Sequence, residues 1–279
     1  MNNTFNIKRF GLVMSKDFQE NWKRYMMQFL TMFGIIALAL CLLSDWIYKA
    51  IARGDSMEVD YNLFTLIIPM FFGFGVVFAS TLTEPMRSKI KRASYLMSPA
   101  SILDKYVSRW LIVTIGYIIA FCVALWLADL LRVAIYSVSY PEIDVNLLDF
   151  GKLIGTEGDR ANNVFENGNE FRFFVGLFFF LQSACILGST FWEKASLVKT
   201  FATGTILVLL FLLLVNWTIS IFYTDFEQFT KVLDSFVKEN QMSDTTFFTI
   251  MTGVFSLFTL VFWIFAFFRF RESEIIKRW

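Results

Sequence analysis

The chain of 279 residues contains no histidine. That excludes His-ligated metal sites and both Ser–His and Cys–His catalysis. Cysteine is scarce: Cys41, Cys122 and Cys185 each lie inside an apolar run, where they read as small core residues without a disulfide. Charged residues make up 18% and the net charge is +1, so the chain has no general basic field to hold a nucleic acid. There is no G-x-x-x-x-G-K-[ST] phosphate loop, so no nucleotide chemistry is expected on this polypeptide. With no paired aspartates at membrane depth either, the expectation is a protein that is not an enzyme and binds no metal or cofactor of its own. No cleavable leader is expected, because the first apolar run starts near Tyr25 and is too long for a signal core.

What the chain has in excess is apolar surface. Hydrophobic residues make up 56%, aromatics 19%, and there are 35 Phe. Apolar runs of about 20 residues cannot be hidden in a soluble core of this size. They are longer than the alternating segments of a membrane β-barrel, which run to about 10 residues. The fold class is therefore all-α: a polytopic membrane protein of one domain, residues 1–279, with six transmembrane helices. The spans are expected at about 26–43, 61–82, 110–131, 171–189, 200–222 and 247–268.

Ahead of the first span, residues 5 to 24 read as an amphipathic helix lying along the membrane surface. Phe10, Met14, Phe18 and Trp22 recur at helical spacing on one face, with Val13 and Tyr25, opposite Arg9, Lys16, Glu20 and Lys23. Pro69 is expected to kink the second span, and Gly73 and Gly75 to admit a close neighbour. Asp129 and Arg132, spaced i, i+3, are placed to pair at the far end of the third. A short helix is expected near Val145 to Leu153, since a structureless segment from Ser137 to Glu170 would be long. Gln28, Gln182 and Asn216 sit at membrane depth and are candidates for a polar pathway or, more plainly, for helix–helix glue. The Phe crowding in the fourth and sixth spans reads as lipid-facing or gap-filling, with an opening for an amphipathic substrate as the other reading.

One polar island interrupts this pattern. Glu84 to Trp110 holds six Lys/Arg, namely Arg87, Lys89, Lys91, Arg92, Lys105 and Arg109, against two acids, Glu84 and Asp104. With the amino terminus inside, the inner segments carry 17 of the 25 Lys/Arg, which places both termini and this loop in the cytoplasm. Ser101 and Asp104 have the spacing of a capping box, and Ser98-Pro99 offers a competing helix start. Either starts a helix near residues 99–102 that feeds the third span. A shorter helix is expected over Arg87 to Met97. A rigid basic turn under the bilayer reads as a docking surface for a soluble partner.

The run YLMSPASILDKYVSRWL (95–111) resembles the segment before the third span in the membrane-spanning permeases of bacterial type-2 ABC exporters, in particular a divergent Bacteroidetes-like group. The resemblance rests on Leu96, Met97, Pro99, Ala100, Ser101, Asp104, Lys105, Arg109 and Trp110. Phe191, Glu193 and Lys194 of a short inner loop, and Arg271 to Ile276 near the carboxyl end, add to it. It implies a multi-pass permease subunit in the bacterial cytoplasmic membrane, acting as a homodimer or paired with a related permease. A separate ABC ATPase subunit, carrying ATP and Mg, would dock on Arg87, Lys89, Lys91, Arg92, Ser98, Pro99, Ser101, Asp104 and Lys105. An amphipathic or lipid-like substrate would be exported. The alternative from the residues alone is a scaffold or sensor that reads a ligand through the acidic segments 137–170 and 223–246.

Overall fold

A computed structural model of the chain describes residues 7–84, 100–155, 163–192, 195–222, 231, 235 and 244–276, with the side chains of 244 and 273–276 set aside. The described residues form an all-α polytopic membrane protein. Six stretches are long and apolar enough to cross a bilayer. They are α1 (Ile7–Ala52), α2 (Val59–Ala79), a composite third stretch, α5 (Gly168–Phe191), α6 (Ser196–Phe222) and α7 (Asp244–Ile276). The third stretch joins α3 (Ile102–Leu111), a π-helical turn (Ile112–Gly116) and α4 (Tyr117–Ser139) without a break.

The first helix departs from expectation. A surface helix over 5–24 and a separate span over 26–43 were expected; α1 is one helix of 46 residues. At 1.5 Å per residue it is about 69 Å long, roughly twice what a bilayer core requires. No proline interrupts it, and sharp kinks need such a cause. Its first half is thus an arm that extends the span. Phe18 and Trp22 remain exposed on that arm and meet edge to face at 5.3 Å, while Phe10 and Met14 are half-buried.

Two apolar clusters hold the described helices together. One packs Leu40 and Ile47 of α1, Leu63 and Ile67 of α2, Tyr117 and Phe121 of α4, and Phe178 of α5. The other packs Val76 and Ala79 of α2, Tyr106 of α3, Ile186 of α5 and Phe270 of α7. Gly75 admits the close approach expected of it: a Cβ there would sit 2.5 Å from the Phe178 ring and 3.1 Å from Tyr117. Gly73 faces open space. α2 continues through Pro69, and the Tyr117 hydroxyl donates to the Phe71 carbonyl at 2.5 Å just beyond it. α6 is buried at its first residue, Ser196, is exposed along its apolar stretch, and rests mainly on α5.

The segment after α4 is ordered where it is described. Instead of a helix over 145–153 it makes one 3-10 turn, Phe150–Leu153. The Asp149 carboxylate accepts from the Gly151 amide to start that turn. Asp149-Phe150-Gly151 is thereby a capped turn. The turn lies on α2, with Phe150 edge-on to Phe64 at 5.6 Å and Lys152 paired to Asp60 at 2.8 Å.

Candidate functional site

The helix expected before the third span exists. Ser101 is its N-cap: the Ser101 hydroxyl accepts from the Asp104 amide at 3.1 Å, and the Ser101 amide donates to Asp104 Oδ2 at 3.4 Å. The second bond is long, but the box is formed in both directions. Arg87, Lys89, Lys91, Arg92, Ser98 and Pro99, together with the helix expected over Arg87 to Met97, lie outside the described residues.

The polar face of α3 is not presented to solvent. Asp104 and Lys105 were expected on a docking surface; they are 0% and 3% exposed. The arm of α1 reaches Asp104. Arg9 Nε lies 3.6 Å from Asp104 Oδ2. One and a half turns further along α3, the Arg109 guanidinium pairs with the Asp17 carboxylate, both buried. Tyr25 bridges the pair: its hydroxyl donates to Asp17 Oδ2 at 2.7 Å and accepts from Arg109 Nη1 at 3.3 Å. Asn21 donates a further bond to Asp17 Oδ1 at 3.0 Å. Arg24 pairs with Glu84 in the turn that follows α2. The Tyr106 hydroxyl donates to the Trp263 carbonyl of α7 at 2.9 Å, and Trp110 meets Trp263 edge to face at 5.0 Å.

The arrangement is an ionic clasp between α1 and α3. A buried charge is tolerated only when paired and hydrogen-bonded, and Asp17 has three donors around it. Asp17, Asn21 and Tyr25 recur every four residues, so they form one stripe on the arm. The sequence places Tyr25 on the apolar face of this segment and gives Asp17 and Asn21 no partner.

The three intramembrane candidates do not come together. Gln182 is fully buried and donates from Nε2 to the Val113 carbonyl at 3.4 Å. Val113 lies in the π-helical turn, where the wider ring leaves carbonyls open to such a partner. The Gln182 Oε1 and Thr114 Oγ1 atoms beside it have no partner among the described residues. Asn216 is exposed on α6 and Gln28 is half-buried on α1. No hydrogen bond joins any two of these three, so helix contact is the role the geometry gives Gln182.

A second buried ionic group lies at the opposite end of α4. Arg132 is 0% exposed and donates to Asp129 Oδ1 at 2.7 Å, as its spacing predicts. It also donates to the Tyr48 hydroxyl of α1 at 2.9 Å and to the Asn146 carbonyl at 2.7 Å. The other Asp129 oxygen accepts from the Leu148 amide at 2.9 Å. One ion pair thus fastens the segment 146–148 to two helices. Glu193 and Lys194 lie outside the described residues, as does most of 223–246.

Comparison with protein-family models, curated proteins and solved structures finds no match. The clasp and the capped helix therefore have to be read on their own chemistry.

Proposed function

We propose that the chain is the permease subunit of a two-component ABC exporter, with ATP hydrolysed by a separate subunit docked beneath α3. The observation that carries this reading is the capped start of α3, continuous through the π-helical turn into α4. Mechanical work delivered at the start of such a helix moves the span, because no floppy loop intervenes. The docking surface would include the basic stretch Arg87, Lys89, Lys91, Arg92 with Ser98 and Pro99. Ser101 shapes the helix start, while Asp104, facing Arg9, and Arg109, paired with Asp17, brace α3 against α1. The likeness of residues 95–111 to type-2 exporter permeases supports the same assignment. It brings with it the bacterial cytoplasmic membrane, cytoplasmic termini, a dimeric arrangement and an amphipathic or lipid-like cargo.

The test is affinity capture from a gentle detergent. An ATPase subunit with a phosphate loop should be recovered with the chain, and the triple variant Arg87→Glu, Lys91→Glu, Arg92→Glu should release it. Recovery of the chain alone, from membranes of its own host, would refute the proposal.

A sensor or scaffold is the second reading, favoured by one observation: the ion pair Asp129–Arg132 holds the segment after α4 in a defined shape. It predicts a response to a ligand at that segment that is independent of any ATPase.

A further inference from the structure

The seam between α5 and α7 carries a feature that the exporter reading does not use. The two helices run side by side from their first turns, with Phe173 5.4 Å from Phe248 and Phe180 5.2 Å from Phe255. Along α7 the residues Thr245, Thr249, Thr252, Ser256, Thr259 and Trp263 recur at alternating spacings of four and three, which is one face of a helix. Along α5, Asn169, Arg172, Gly176 and Phe179 do the same. Between these two stripes lie two adjoining cavities. The upper, of about 230 Å³, is lined by Asn169, Thr245, Thr246, Thr249 and Ile250. The lower, of about 440 Å³, runs from Arg172 past Val175, Phe179 and Leu260 to Trp263.

The lower slot is apolar despite its hydroxyls. Thr252, Ser256 and Thr259 each spend their hydroxyl on the carbonyl one turn back, at 2.7, 2.8 and 2.8 Å. What they present to the slot is carbon. Gly176 has no side chain to fill it, and the nearest atom to a Cβ there would be the Thr252 methyl at 3.6 Å. From Thr252 to Trp263 the slot is about 16 Å deep, close to one leaflet of a hydrocarbon core of about 30 Å. At its mouth stands Arg172, exposed, with Asn169 Oδ1 at 3.2 Å as its polar partner and no carboxylate among the described residues. The nearby acid, Glu170, is turned to the Glu166 amide at 2.8 Å.

We propose that this seam is a binding site for one anionic phospholipid of the surrounding bilayer. Its phosphate is held at Arg172, and one acyl chain lies in the slot as far as Trp263. The charge at the mouth selects an anion, and the Arg fork suits a phosphate. The apolar slot one leaflet deep selects a chain, and its open side faces lipid. The site is independent of the exporter reading, because it needs neither the ATPase nor the loop before α3.

The test is native mass spectrometry of the full chain released from micelles holding phosphatidylglycerol and phosphatidylcholine in equal amounts. One bound lipid is expected, with phosphatidylglycerol favoured. Arg172→Gln should cut that preference about fivefold, the worth of one basic side chain near an anionic headgroup, and Arg172→Lys should retain most of it. Ser256→Trp should expel the lipid by filling the slot, and Val175→Trp does the same from the opposite wall if the first variant does not fold. Retention of the lipid in both tryptophan variants, or a preference indifferent to Arg172→Gln, overturns the proposal. So does a lipid-free dimer that Ser256→Trp converts to monomer, since the seam would then be a protein contact.

Discussion

Arg109 of α3 closes on Asp17 of α1 with both side chains almost wholly removed from solvent. The two residues belong to different helices, and the pair is the centre of the clasp that fixes one against the other. Breaking such a pair leaves a charge buried alone, at a cost of about 3–5 kcal/mol. Arg109→Gln or Asp17→Asn should each lower the melting temperature in detergent sharply. The double variant Asp17→Leu, Arg109→Met should recover much of the loss, because no unpaired charge remains. A double variant less stable than both singles would show that the pair is not the origin of the effect.

Arg132 makes the corresponding prediction at the other end of the bundle. Arg132→Met strands the Asp129 carboxylate and the Asn146 carbonyl together. Limited proteolysis should then cut within 144–155 at rates well above the parent chain, with α4 intact. Asp129→Asn should act in the same direction but less, since an amide still accepts from the Leu148 amide.

Lys152 gives a dependence on pH. Its hydrogen bond to the Asp60 carboxylate raises its pKa above the ordinary 10.5. A raised lysine stabilises the fold fully below its unfolded pKa, and that contribution is lost as pH climbs through the folded value. Stability should thus be flat with respect to this group from pH 7 to 9 and fall above about 10.5. Lys152→Met should remove that alkaline limb. The effect should be small and weakened by salt, because the ammonium is partly exposed.

Gly75 tests the packing of the first cluster. Gly75→Ala drives a methyl into the Phe178 ring, which already stacks 4.4 Å from Phe71. Overpacking of this kind costs about 1–3 kcal/mol. Gly73→Ala, facing open space, should be neutral or slightly stabilising. Equal losses for the two would mean that backbone freedom matters here more than fit.

Much of this architecture is legible in the chain itself. The six apolar runs, the Ser101 cap and the Asp129–Arg132 pair all follow from local patterns, whose partners are three or four residues apart or a bilayer's thickness long. What escapes the sequence depends on contact between distant segments. Nothing near Asp17 says that Arg109 will cover it, so the arm of α1 reads as a surface helix and the polar face of α3 as a solvated one. The π-helical turn at Ile112–Gly116 has no composition of its own. It is seen only where Gln182 from another helix satisfies the Val113 carbonyl. Val145 to Leu153 fails as a helix for a similar reason: Arg132 takes the Asn146 carbonyl, which a helix over this stretch would bond to the Phe150 amide.

The unbroken length of α1 has one more consequence. It is fastened near its start through Asp17 and Tyr25, and near its finish through Tyr48 and the Cys41 carbonyl, which receives the Tyr136 hydroxyl at 2.7 Å. A stiff shaft gripped at two levels has no slack between them. A displacement imposed on the arm by α3 is therefore carried along α1 to the level of Tyr48.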